Sequence, residues 1–119
     1  MKEVFVVYND CEGEFSLSHA ALMWLSDRGN VRAYRLIKEF ESAFGDEQTL
    51  MTIDETMIGL DRHNALLVLC VEQLGTHKVS GKRSSLRVKR IVSDKYIIRN
   101  TGGIETVLTP DDIIWIEVN

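Results

Sequence analysis

Eight of the chain's 14 lysines and arginines fall between positions 78 and 99: Lys78, Lys82, Arg83, Arg87, Lys89, Arg90, Lys95 and Arg99. Cations gathered this way attract phosphates or the carboxylates of an acidic protein. They stand out because the whole chain carries a net charge of -4. Alternation along a strand at 86–92 would leave Arg87 and Lys89 facing out. In a hairpin with a return strand at 95–99, Lys95 and Arg99 would join them beside the loop holding Lys78, Lys82 and Arg83. The same charges also suit a solvated sheet face that resists edge-to-edge pairing. Tyr96 is the one aromatic side chain interleaved with these cations, a poor platform for stacking single-stranded bases.

Other residues able to do chemistry are more scattered. Loop 9–14 reads Asn-Asp-Cys-Glu-Gly-Glu. Asp10, Glu12 and Glu14 alternate there after a strand, where ligands often bind, but the offsets of a calcium loop are lacking. Cys11 sits among carboxylates, which disfavour a thiolate. His19, His63 and His77 have no metal-ligand spacing. Asp61, Arg62, His63 and His77 would make a catalytic group only if the chain folded back, because they flank a helix about 15 Å long. No C-x-x-C, P-loop, G-x-G-x-x-G or serine elbow occurs. The residues therefore imply neither a metal nor a cofactor, and binding fits them better than catalysis.

The elements that would position these residues are legible in outline. Positions 4–8 form a β-prone run, expected to be buried on both faces. Ser18 and Asn30 can cap two helices separated by Gly29. Val31, Tyr34, Ile37, Phe40 and Phe44 recur at helical spacing, with Gly45 and Asp46 closing the run. Met23, Trp24, Tyr34 and Phe40 are expected to pack between helices. Stretch 48–59 is ambiguous between short strands and an irregular crossing. Asn64 can cap a third, strongly apolar helix that Gly75 stops. Strands are expected at 86–92, 95–99, 104–108 and 113–118, separated by Ser93-Asp94, by Gly102-Gly103 and by Pro110. Helices early and strands late imply an α+β fold, with an N-terminal strand, three helices and a C-terminal antiparallel β meander in one sheet.

With 119 residues, 45% of them hydrophobic and 27% charged, the chain suits one globular domain, 1–119, with a core of its own. The longest uninterrupted apolar run is far short of a bilayer span, and the first residues lack the apolar core of a signal peptide. Two cysteines, Cys11 and Cys70, are expected as free thiols. A cytoplasmic protein without a membrane partner is expected.

The block Arg62-His63-Asn64, Leu67-Val68, Val71-Glu72-Gln73-Leu74-Gly75, Gly81, Leu86, Val88 and Ile91 resembles a family of small uncharacterised proteins of large double-stranded DNA phages and viruses. Tyr96-x-Ile98 and Gly103-Ile104-Glu105-Thr106-Val107 resemble that family's continuation, and Phe15-Ser16-Leu17-Ser18 its upstream segment. The chain departs from the pattern at Asn64-Ala65, where the family has Asp-Pro, and at Ser93-Asp94, where it has an acid-apolar-proline ending. The family's histidine-arginine tail is absent here. The resemblance implies a phage accessory protein acting in the host cytoplasm, and it transfers no activity. The expected partner is a host protein, or else nucleic acid, held by the basic loop and hairpin. The alternative is a small-molecule or nucleotide site, possibly enzymatic, at the loop from Asn9 to Glu14. Pairing of copies through 113–118 as an edge strand is a third possibility.

Overall fold

The computed structural model describes residues 2–44 and 52–118. The elements run β1 (Glu3–Asn9), α1 (His19–Asp27), α2 (Val31–Phe44), a 3-10 turn (Glu55–Ile58), α3 (Ala65–Leu74), the short α4 (Thr76–Val79), β2 (Leu86–Val92), β3 (Ile97–Thr101) and β4 (Ile104–Leu108). A second 3-10 turn at Pro110–Asp112 follows β4.

The helix boundaries follow local chemistry. Ser18 Oγ accepts from the Ala21 amide at 3.1 Å, Asn30 Oδ1 from Ala33 at 2.9 Å, and Asn64 Oδ1 from Leu66 at 2.8 Å. Each bond satisfies a first-turn donor with no partner inside its helix. Gly29 takes φ 93°, open to glycine and costly for other residues, and the chain turns there into α2. α3 buries Leu67, Val68, Cys70 and Val71 on the main core, each large aliphatic side chain contributing roughly 1.5–3 kcal/mol. In the helical pair, Phe40 is buried and Trp24 half-buried as expected, whereas Met23 and Tyr34 are exposed. The expected end of α2 at Gly45 and the first positions of the ambiguous stretch, 48–51, lie outside the described residues; the rest of that stretch, 52–59, forms no strand and holds the 3-10 turn.

β1 pairs antiparallel with β2, in register from Glu3 opposite Val92 to Asn9 opposite Leu86. Side chains alternate between the two faces, so Val7, Leu86 and Val88 meet the helices while Val6 and Ile91 meet Val107 of β4. Val6 and Val7 are buried on the two faces of β1, but Phe5 is exposed and the strand, expected to be central, has β2 as its one strand neighbour among the described residues.

The single meander is corrected. The four strands form two separate two-stranded sheets, β1–β2 and β3–β4. The expected return strand at 95–99 does not pair with β2. Ser93 Oγ accepts from the Lys95 amide and donates to the Lys95 carbonyl, bending the chain away. β3 then pairs with β4 through the Gly102-Gly103 turn. The expected last strand, 113–118, is in no sheet. Among the described residues, no helix is long and apolar enough to cross a membrane.

Candidate functional site

The most connected polar side chains surround Arg62, between the 3-10 turn and α3. Its guanidinium meets Glu105 of β4 through two hydrogen bonds, 2.7 Å to Oε1 and 2.9 Å to Oε2. It also donates to the Val7 carbonyl at 3.2 Å, while its own carbonyl accepts from the Val7 amide at 2.8 Å. Arg62 thus occupies the outer edge of β1 that would otherwise carry unpaired backbone. Nε lies 2.8 Å from Glu55 Oε2, but without hydrogen-bond alignment, so that contact is coulombic. The guanidinium stacks 3.7 Å from the Phe15 ring, a favourable cation–π arrangement. Burial opposes its charge, yet Glu105 and Glu55 outweigh that effect and hold its pKa above the ordinary guanidinium value.

Glu105 passes the network to Asn9, whose backbone amide donates to Oε1 at 2.8 Å. The fully buried Asn9 side chain donates to the carbonyls of Cys11 (3.0 Å) and Gly103 (2.9 Å). Its Oδ1 accepts from the Ser85 amide at 2.8 Å and from Ser84 Oγ at 3.3 Å. One side chain therefore joins loop 9–14, the β3–β4 turn and the basic loop. A buried network satisfied to this degree fixes the relative positions of its members.

The basic loop, residues 80–85 between α4 and β2, is held from several sides. The Gly81 amide donates to the Ser16 carbonyl at 2.8 Å, and the Leu86 amide to Ser80 Oγ at 2.8 Å. A Cβ on Gly81 would run into the Ser16 side chain, and one on Gly13 into the Arg83 carbonyl. Arg83 itself takes φ 61°, an uncommon conformation for a residue with a side chain. Outside the loop lies a cleft of about 670 Å³ whose wall includes Thr76, His77, Lys82, Ser84, Ser85 and Arg87. None of the described residues lining it is acidic.

The eight predicted cations do not share one surface. Lys82 and Arg87 meet at this cleft, with Lys78 and Arg83 exposed on the adjoining α4 and loop. Arg87 carries an exposed ion pair with Asp10 at 3.1 Å. Lys89 shares its face but is half-buried and donates to the Val107 carbonyl at 3.0 Å. The pleat sends Arg90 to the opposite face, where it meets Glu3 at 2.6 Å. Arg99 pairs in register with Thr106 on the outer face of the β3–β4 hairpin, and Lys95 lines clefts near Tyr96. Among the described residues, Lys78, Lys82, Arg83, Lys95 and Arg99 make no ion pair.

The other candidates do not converge. His63 Nδ1 lies 2.7 Å from the Tyr96 hydroxyl on an exposed surface, whereas His77 lines the cleft by the basic loop. Burial, then the nearby Asp61, push the Tyr96 hydroxyl above its ordinary pKa. Cys11 Sγ contacts Asn9 Oδ1 and the Arg83 carbonyl, each at 3.5 Å. The described residues contain no group of three or more side chains able to hold a metal ion. Reading by charge missed Arg62, Glu105 and Asn9 as organisers. Comparison with family models, curated proteins and solved structures finds no match to this chain.

Proposed function

We propose that this chain is a small phage-type accessory protein that acts by binding, and that the cleft beside loop 80–85 receives an acidic segment of a host protein. The observation that carries this reading is the meeting of Lys82 and Arg87 at a polar cleft with no acidic lining residue. The loop is already fixed by Asn9, Ser16 and Ser80. A fixed loop loses little conformational entropy on binding. Exposed ion pairs contribute little, so an incoming carboxylate can take Arg87 from Asp10 at small cost.

Nucleic acid fits less well. A duplex rewards a row of cations that neutralises successive phosphates. Here Arg90 and Arg99 lie on other faces. Tyr96, engaged with His63, is a poor stacking platform.

Capture from bacterial lysate, with and without nuclease, tests the reading. A protein retained by the wild-type chain after nuclease, and lost by the Lys82→Glu/Arg87→Glu variant, is the expected result. A partner that disappears with nuclease, or one that the double variant retains, contradicts it.

A further inference from the structure

Segment 113–118 reads Ile-Ile-Trp-Ile-Glu-Val and leaves four large apolar side chains in water. Ile114, Trp115, Ile116 and Val118 are 73% to 95% exposed. Among the described residues, 114–118 make no hydrogen bond. A segment with apolar side chains and free backbone polar groups is able to pair with an open sheet edge.

The same chain holds an edge that fits it. β3 pairs only with β4, and no described backbone bonds the other side of β3. Ile97, at the start of that edge, is 52% exposed. It borders an apolar cleft of about 240 Å³ with Leu108, Pro110 and Trp115. Charge is complementary as well. Glu117 is the one acid in the segment, while Lys95, two residues before β3, and Arg99 within it are cations without an ion pair among the described residues. Alternation sets Ile114, Ile116 and Val118 on one face and Trp115 with Glu117 on the other. β3 likewise turns Ile98 inward, towards Val6 and Ile91, and leaves Ile97 and Arg99 outward. A strand added there would continue the inner apolar face while bringing Glu117 to the cations.

We infer that two copies of this chain pair by exchange, each laying segment 113–118 along the open edge of β3 in the other. The contact is reciprocal, as a two-fold dimer requires. Backbone bonds supply affinity and the alternating side chains supply register. The four exposed side chains carry on the order of 600 Å² per copy. With the two receiving edges counted, the pair reaches roughly the 1,200–2,000 Å² of a stable interface.

The test is sedimentation of the full chain across a hundredfold concentration range, alongside Ile116→Asp. A Trp24→Phe background leaves Trp115 as the sole emitter. The wild-type chain should reach about twice its monomer mass, and Trp115 emission should move to the red on dilution. Ile116→Asp should stay monomeric, with the circular dichroism and thermal midpoint of the wild-type chain at its lowest, dissociated concentration. A wild-type chain monomeric throughout, a dimer that Ile116→Asp leaves intact, or blue-shifted Trp115 emission independent of concentration would each overturn the inference. The last outcome would mean that the segment closes on its own β3.

Discussion

Arg62 and Glu105 lie 43 positions apart and meet through two parallel hydrogen bonds, with side chains 12% and 5% exposed. Through this pair the segment before α3 is tied to β4, and Glu105 in turn holds Asn9. The pair anchors the scaffold on which loop 80–85 rests.

The cost of breaking it should depend on which partner is removed. Arg62→Ala strands the carboxylates of both Glu55 and Glu105, and a stranded buried charge costs about 3–5 kcal/mol. Glu105→Gln keeps an acceptor for Asn9 and leaves Glu55 beside Arg62, so it should cost about 1–3 kcal/mol. Urea unfolding of both variants checks the order, and equal losses would contradict it.

The two thiols should react differently. Burial pushes the Cys70 thiol up to about 12, while Cys11 is partly exposed in its loop. At pH 8 a thiol reagent should modify one cysteine per native chain at once and the second only after unfolding. Linkage sets the sign at high pH. The raised Cys70 value means that its contribution to stability is fully present below the ordinary thiol value of 9.0 and is lost as pH climbs towards about 12. Thermal midpoints should fall over that window, and Cys70→Ala should flatten part of the fall.

Gly103 takes φ 95°, and a Cβ there would overlap the Gly13 carbonyl. Gly103→Ala should therefore destabilise through both strain and the clash, by about 1–3 kcal/mol. Gly29→Ala meets no neighbouring atom and should lose less. Denaturant midpoints for the two variants provide the comparison.

Charge reversal should separate the cations by role. Lys89→Glu removes the bond to the Val107 carbonyl and places an acid on a half-buried face, so it should lower the thermal midpoint as well as any binding. Lys82→Glu, at an exposed position, should leave the midpoint unchanged and weaken binding at the cleft. Arg99→Glu should do neither. Differential scanning fluorimetry beside a binding assay resolves the three.

Local signals explain which parts of this architecture were legible. Ser18, Asn30 and Asn64 each cap within a few residues, so the helices could be read directly. The Gly102-Gly103 turn was legible for the same reason. Strand partnership depends on distant residues. β2 is preceded and followed by turns, and nothing in 93–96 states that its partner is β1 rather than β3. The cation surface failed with it, since the expected face assumed that pairing. Alternation did place Leu86 and Val88 towards the core, and Arg87 and Lys89 together on the other face, but not β4 over Lys89. Glu105 reads as a surface acid in a strand. Its inward place became visible only once Arg62 lay opposite.

The central claim is that the cleft at loop 80–85 takes an acidic partner. The most direct measurement is a titration of the isotopically labelled chain with a glutamate-rich peptide, followed by amide chemical shifts. Shifts confined to residues 76–87, weakened by salt and absent in Lys82→Glu/Arg87→Glu, are predicted. Saturating peptide that leaves those amides unmoved, or shifts centred on β3 or on His63, would contradict the account.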